Sequence, residues 1–206
     1  MIKNYIFDFG NVLARFCPKE LTECVVKDPE SAKIITDVIF NATHWEKLDA
    51  GLVTDDIVKQ RITSSLPDGL SLLGVEVFDK WIENLPPMWE TVEVVEKLKK
   101  SGKKLYILSN ISKGFANSYH NYPWIKELFD KFDGLVFSGE VGMIKPDKRI
   151  FEHILEKYGL NAKECLFIDD SKANTDAASA LGINTYLFDG DANKLEEFIN
   201  KKSECR

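Results

Sequence analysis

Two kinds of hydrophobic pattern divide the chain. From about residue 88 onward, short apolar runs alternate with amphipathic stretches of helical period. Residues 90–100 carry Val92, Val95 and Leu98 at helical spacing, and Gly102 follows as a stop. Residues 103–110 (KKLYILSN) then read as a buried strand, and a stretch of helix and loop leads to a further strand over 133–140 (DGLVFSGE). Residues 146–158 place Ile150, Phe151, Ile154, Leu155 and Tyr158 on one helical face, closed by Gly159. The pattern continues as a strand over 164–170, a helix over 173–182, a strand over 183–188 and a helix over 193–202. Near the N-terminus, Tyr5-Ile6-Phe7 makes one more apolar run. Strands alternating with short helices predict a parallel sheet covered on both faces.

Residues 16–87 follow another rule. Their apolar positions, such as Val53, Ile57 and Ile62, recur at helical rather than alternating spacing. Helices are predicted over 19–26, 29–40, 54–64 and 75–84, and Leu85-Pro86-Pro87 marks the return to the α/β pattern. The expected architecture is α/β: a doubly wound, Rossmann-like parallel-sheet core from 1–15 and 88–206, with an inserted α-helical lobe from 16–87 over the carboxyl edge of the sheet. Trp81, Trp89 and Trp124 are read as packing residues.

Composition narrows the partners. A chain of 206 residues is long enough for one sizeable core and a smaller lobe. Its net charge of −6 and the lack of a dense Lys/Arg run argue against a nucleic-acid partner. The apolar stretches fall well short of the about 18–20 residues that cross a bilayer, so no membrane partner is expected. The start of the chain runs directly into a strand without a signal-peptide pattern, which makes the cytoplasm the expected location. Cys17, Cys24, Cys165 and Cys205 form no C-x-x-C pair, and no histidine lies at a zinc-like spacing from two of them.

Four polar positions stand at or just past the ends of predicted strands: Asp8, Ser109-Asn110, Lys145 and Asp169-Asp170. In an open α/β sheet, ligands bind outside the carboxyl ends of the strands. Each position alone has an ordinary structural role, as a turn, a helix cap or a solvated loop residue. In series they suggest one site. Carboxylates with a lysine and a hydroxyl suit a hard, oxygen-ligated cation such as Mg²⁺, and a phosphate. An aspartate can also attack phosphorus to give an aspartyl-phosphate.

These four segments, FDFGN, LSN, IKPD and FIDDSKAN, resemble the four motifs of the haloacid dehalogenase-like hydrolase superfamily. The helical insert matches its helical-cap subgroup. The finer pattern is similar to bacterial sugar-phosphate phosphatases of the alpha-D-glucose-1-phosphate phosphatase type and to the phosphatase domain of soluble epoxide hydrolase. The resemblance implies that Asp8 is the nucleophile and a metal ligand, with the Gly10 carbonyl and Asp170 as further ligands and Asp169 acting through water or orienting the shell. It implies that Ser109 and the Asn110 N–H hold phosphate oxygens, and that Lys145 neutralises both Asp8 and the phosphate. Asn174 would tie the loop after Asp170 into the site, or simply stand near a helix N-terminus. The lobe would recognise substrate near Trp45-Glu46-x-x-Asp49-x-Gly51, with His44, Trp45, Glu46 and Asp49 as contacts or as packing and solvated residues; Arg15 is a further candidate contact.

Gly10 departs from the family pattern, D-x-D-x-T/V, whose second aspartate protonates the leaving group and then activates water. The expected function is a Mg²⁺-dependent phosphatase acting on a small phosphomonoester, such as a hexose 1-phosphate, whose hemiacetal oxygen leaves with less help. The rival reading is a non-catalytic phosphate-binding member of the fold; a phosphomutase or a dehalogenase fits the residues less well.

Overall fold

The computed structural model describes residues 1–204, without the side chains of 42–44, 203 and 204. The chain opens with strand β1 (Asn4–Phe7), whose four residues are all buried. A block of five helices follows: α1 (Pro18–Val25), α2 (Pro29–Ile39), α3 (Ala42–Asp49), α4 (Asp55–Ser65) and α5 (Ser71–Lys80). Their starts follow local chemistry. Proline occupies the first turn of α1 and α2, the Asp28 carboxylate accepts the Ser31 N–H, and the Thr54 hydroxyl accepts the Ile57 N–H. The pattern misses α3, whose only large apolar residues are Trp45 and Leu48, too few to reveal a period. It also places the last of these helices late. Gly74 weakens the helical signal at the true start, yet it lets α5 close on α4: a Cβ there would lie 2.2 Å from Leu66 Cδ1. Ile35, Ile39, Val58, Ile62, Val77 and Phe78 belong to an apolar cluster made only from this helical block.

The block leaves and rejoins the remaining chain through adjacent connections. The Arg15 N–H donates to the Pro86 carbonyl and the Met88 N–H to the Leu13 carbonyl, each at 2.9 Å. Helix α6 (Trp89–Lys100) then leads to β2 (Lys104–Ser109), α7 (Lys113–Ser118), a 3-10 turn at Tyr119–Asn121, α8 (Pro123–Phe129) and β3 (Gly134–Phe137). Next come α9 (Ser138–Val141), α10 (Lys148–Tyr158), β4 (Cys165–Asp169), α11 (Lys172–Ala180), β5 (Asn184–Leu187) and α12 (Ala192–Glu204). The strand expected over 133–140 ends early. At Ser138 the backbone turns into α9, because Gly139 bonds the Ile111 carbonyl instead of extending the sheet. Trp81 is buried and Trp124 packs against the core, but Trp89 is 58% exposed on the first turn of α6, against expectation.

The five strands form one parallel sheet in the order β3-β2-β1-β4-β5. Successive side chains alternate between its two faces. Tyr5, Phe7, Leu105 and Ile107 face the layer of α6, α8 and α12, whereas Ile6, Tyr106 and Leu108 face that of α10 and α11. From β1 the chain builds outward through β2 and β3 on one side, then returns to place β4 and β5 on the other. The winding therefore reverses between β1 and β4, where a crevice opens at the carboxyl ends of the strands.

Candidate active site

The sheet register brings the polar strand ends together. Phe7 pairs with Ile168, so Asp8 and Asp169 stand one residue further on at the same level. The Asp8 N–H donates to the Ile168 carbonyl at 2.9 Å, which holds it in line with β4. Ser109 ends β2 on the other side of β1. Lys145 lies far along the chain but is fixed against Asn110 by two bonds. Its N–H donates to Asn110 Oδ1 at 2.8 Å, and Asn110 Nδ2 donates to its carbonyl at 2.9 Å.

Lys145 is almost wholly buried, and its ammonium has three acceptors for its three protons. Nζ lies 2.9 Å from Asp8 Oδ1, 2.7 Å from Asp169 Oδ2 and 3.0 Å from the Leu108 carbonyl. Burial opposes its charge, but the two carboxylates hold its pKa above the usual lysine value. Asp169 is fully buried and its oxygens are engaged: Oδ1 accepts from the Ser171 N–H at 2.8 Å and from Asn174 Nδ2 at 2.9 Å, while Oδ2 takes Lys145. Asn174 therefore meets the site through Asp169. Asp8 Oδ1 also accepts the Phe9 N–H at 2.7 Å.

Burial pushes the Asp8 carboxyl up to about 7, with Asp169 adding to the rise and Lys145 and Ser109 opposing it. Asp170, just past the end of β4, keeps part of its surface in solvent, and its carboxyl is also raised, by partial burial and by Asp169, with Asn11 opposing. One ligand atom from each of Asp8, Asp169 and Asp170 lies within 4.8 Å of the others. This all-oxygen set, with two carboxyls held above their usual range, fits a hard divalent cation.

The Asp8 shift carries a stability prediction. Between the usual value of 3.8 and about 7, the folded chain holds a proton that the unfolded chain has lost. The stability this group contributes is thus fully present below the lower value and is lost as pH rises through the upper one. In chelator, the melting temperature of the wild-type protein should fall relative to that of Asp8→Asn as pH rises from about 4 to about 7. Parallel melting curves that stay a fixed distance apart would contradict the shift.

Above these groups lies a cavity of about 210 Å³. Asp8, Gly10, Asn11, Ser109, Asn110 and Asp170 line its polar side, and Phe16, Trp45, Trp81, Leu85 and Ile111 line its apolar side, with Asp49 facing the same space. Trp45 stacks on Phe40 at 5.4 Å and meets Phe16 and Trp81 edge-on at 5.6 and 5.3 Å. Lys145 and Asp169 sit beneath this lining rather than in it. Arg15 and Glu46 are not brought in. Arg15 pairs with the exposed Glu20 and borders a neighbouring depression, and Glu46 is exposed on α3. The His44 side chain lies outside the described residues.

Sequence reasoning passed over Asn11. It takes a left-handed φ of 53°, its Oδ1 accepts the Phe16 N–H at 3.0 Å, and its side chain bonds Asp170. The Gly-Asn pair after β1 was the available signal, since asparagine tolerates this conformation better than most residues.

A family model described as haloacid dehalogenase-like hydrolase matches residues 2–182. The chain is 30% identical over 198 residues to the sesquiterpene phosphatase astK of Aspergillus oryzae, covering 94% of each chain. It is 25% identical over 203 residues to the D-ribitol-5-phosphate phosphatase of Bacteroides thetaiotaomicron, covering 96% of this chain and 97% of that one. Among solved structures, a HAD family enzyme of B. thetaiotaomicron in complex with magnesium and inorganic phosphate superposes with a TM-score of 0.71 and 26% identity, covering 90% of this chain and 93% of that one. The motif series, the parallel sheet and these matches agree: this chain belongs to the haloacid dehalogenase-like hydrolases.

Proposed function

We propose that the chain is a Mg²⁺-dependent phosphatase that hydrolyses a small phosphomonoester through an aspartyl-phosphate on Asp8. The observation that carries this reading is the buried Asp8–Lys145–Asp169 cluster at the carboxyl ends of β1 and β4, with Ser109 and Asp170 beside one cavity. Asp8, Asp170 and the Gly10 carbonyl would hold Mg²⁺, with Asp169 orienting the shell through Lys145 and Asn174. When bound, the ion offsets charge repulsion and polarises the phosphoryl group.

In this mechanism Lys145 and the Phe9 N–H hold one Asp8 oxygen, and the other oxygen attacks phosphorus. Ser109 and the Asn110 N–H hold the phosphoryl oxygens as negative charge builds on them, and the buried Lys145 charge beneath Asp8 helps to offset it. Residues 16–87 act as a cap that supplies the apolar wall, through Phe16, Trp45, Trp81 and Leu85. The substrate is a soluble cytoplasmic metabolite, and a hexose 1-phosphate fits a wall on which a sugar face can stack. A second reading has its own support. The wall is aromatic, and a relative that covers nearly the whole chain is a sesquiterpene phosphatase. An apolar alcohol phosphate is therefore the alternative.

The test is phosphate release, with Mg²⁺ and with chelator, from p-nitrophenyl phosphate, several sugar phosphates and isoprenoid monophosphates. Activity on sugar phosphates supports the first reading, and preference for isoprenoid esters supports the second. No release from any of them, with or without Mg²⁺, overturns both. The metal assignment has a separate readout. Mg²⁺ at 100 times its Kd should stabilise the protein by about 2.7 kcal/mol, seen as a higher melting temperature. Asp170→Asn should need at least roughly tenfold more Mg²⁺ for the same rise, because it loses a charged oxygen donor. An unchanged Mg²⁺ requirement would remove Asp170 from the ligand set.

A further inference from the structure

If Asp8 is the nucleophile, the leaving oxygen still needs a proton. Gly10 has no side chain to provide one. We infer that Asp49, at the end of α3, supplies this proton and so takes the part of the carboxyl that Gly10 lacks. The inference rests on the phosphatase reading above and names a residue that the reading does not need in order to hold.

The geometry is as follows. Asp49 lines the same cavity as Asp8, Gly10, Ser109 and Asn110, and it comes from the helical block facing them. Lys145 and Asp169 lie beneath that lining, and Asp170 belongs to the acidic cluster around Asp8. Asp49 is therefore the one carboxyl that the helical block contributes to this lining among the described residues. Its backbone is tied to the sheet side. The Ser138 hydroxyl donates to the Asp49 carbonyl at 2.6 Å and accepts the Ile111 N–H at 2.8 Å. Two residues on, Gly51 has φ +69° and packs so closely on α9 that a Cβ would lie 2.7 Å from the Gly139 carbonyl oxygen. The turn carrying Asp49 is thus docked on the segment that follows Ser109 and Asn110. These contacts fix the backbone from which the Asp49 carboxyl enters the cavity, and a general acid must come within hydrogen-bond reach of the atom it protonates.

The environment favours the acid form. Burial and then the nearby Asp8 charge push the Asp49 carboxyl up to about 7, against the opposing pull of Lys145. A carboxyl in that range can give up a proton near neutral pH and take one back. The steps balance. Asp8 forms a bond to phosphorus as the bond to the leaving oxygen breaks, and the Asp49 proton passes to that oxygen to release the alcohol. The Asp49 carboxylate then removes a proton from water as the water oxygen attacks the aspartyl-phosphate. Inorganic phosphate leaves, Asp8 is restored and Asp49 is protonated again.

The experiment compares wild type with Asp49→Asn, which keeps the size of the side chain and the anchoring carbonyl. The readout is kcat/KM across esters of graded leaving-group quality, because that ratio stops at the transfer of phosphorus to Asp8. The expected loss is about 10²–10⁴-fold for sugar and alkyl phosphates. For p-nitrophenyl phosphate, whose phenolate leaves without a proton, the loss should be at least tenfold smaller. Gly10→Asp added to Asp49→Asn should recover at least tenfold on the poor leaving groups, since a Cβ at Gly10 meets no heavy atom within 4 Å. An equal loss on every ester, a change confined to KM, or no loss at all would overturn the inference. A wild-type protein inactive on the whole panel would instead overturn the phosphatase reading itself.

Discussion

Asp8→Asn should lower phosphate release from every ester by on the order of 10⁴-fold or more, because a nucleophile and its partners act as one unit and the loss of one removes most of their effect. An amide oxygen carries no full negative charge and cannot form the aspartyl-phosphate. The same substitution should leave the melting temperature at neutral pH unchanged or higher. Burial makes the Asp8 charge unfavourable to the folded state, as its raised pKa records. Lys145 keeps Asp169 at 2.7 Å and the Leu108 carbonyl at 3.0 Å, so it is not left unpaired. Acid quenching of wild type with substrate should trap a phosphorylated chain, with the added mass on the peptide containing Asp8; Asp8→Asn should give none. Full turnover by Asp8→Asn would remove the nucleophile assignment.

Lys145→Ala should damage both fold and activity. The substitution leaves Asp8 and the fully buried Asp169 facing each other without their cation. Breaking a buried ion pair by removing one partner costs about 3–5 kcal/mol. Typical domains have about 5–15 kcal/mol in hand, so the variant should fold but unfold at clearly lower urea. Two features identify the cause. The deficit should grow as pH rises above about 7, because without Lys145 the folded chain keeps a proton on Asp8 that the unfolded chain and the folded wild type have lost. Mg²⁺ should narrow it, by replacing part of the missing positive charge. Activity should fall on all esters alike, since Lys145 would act on the phosphoryl group and not on the leaving oxygen. A loss of under about 1 kcal/mol, the scale of an exposed pair, would show that this cluster is better solvated than its geometry implies. The uniform fall for Lys145 and the selective fall for Asp49 separate the two groups by leaving-group dependence.

The family matches help to rank substrates without choosing among them. One relative carries the name of a sesquiterpene phosphatase and another that of a ribitol-5-phosphate phosphatase, with the chain aligned over nearly all of each. Such different alcohols suit a common phosphate-handling floor beneath a wall that varies. Here the floor is built from strand ends, and much of the wall comes from the helical block. Substitutions at Trp45 or Trp81 are therefore where substrate preference should move first.

Much of this architecture was legible in the chain. The strands β1, β2 and β4 read directly, because strands buried on both faces of a parallel sheet need uninterrupted apolar runs, whereas the half-exposed edge strand β5 read from the alternation of strands and helices. The polar residues that end those runs named Asp8, Ser109 and the Asp169-Asp170 pair, since a carboxylate or hydroxyl at the edge of a buried strand stands out from its neighbours. Gly10 stood out through the resemblance, as a departure from the second aspartate of the family motif. Helix α3 was not legible, because two large apolar residues in eight cannot establish a period. Asn11 looked like an ordinary turn residue. Asp49 stood in the sequence beside His44, Trp45 and Glu46 as one of several candidate contacts, and of that group with Arg15 the cavity lining includes Trp45 and Asp49 but not Arg15 or Glu46.

These outcomes share a physical cause. Local sequence determines which segments are strand or helix and which residue types sit at their ends, because burial pattern and backbone preference act over a few neighbours. It does not determine which distant segments meet. That Lys145 lies under Asp8 depends on Asn110 clasping its backbone across 35 positions. That Asp49 lines the same cavity as Gly10 accompanies a bond from the Ser138 hydroxyl to its carbonyl across 89 positions. The strand ends and the glycine at position 10 can be read along the chain; only the docking of the helical block onto the sheet decided which of its carboxyls lines the cavity beside them.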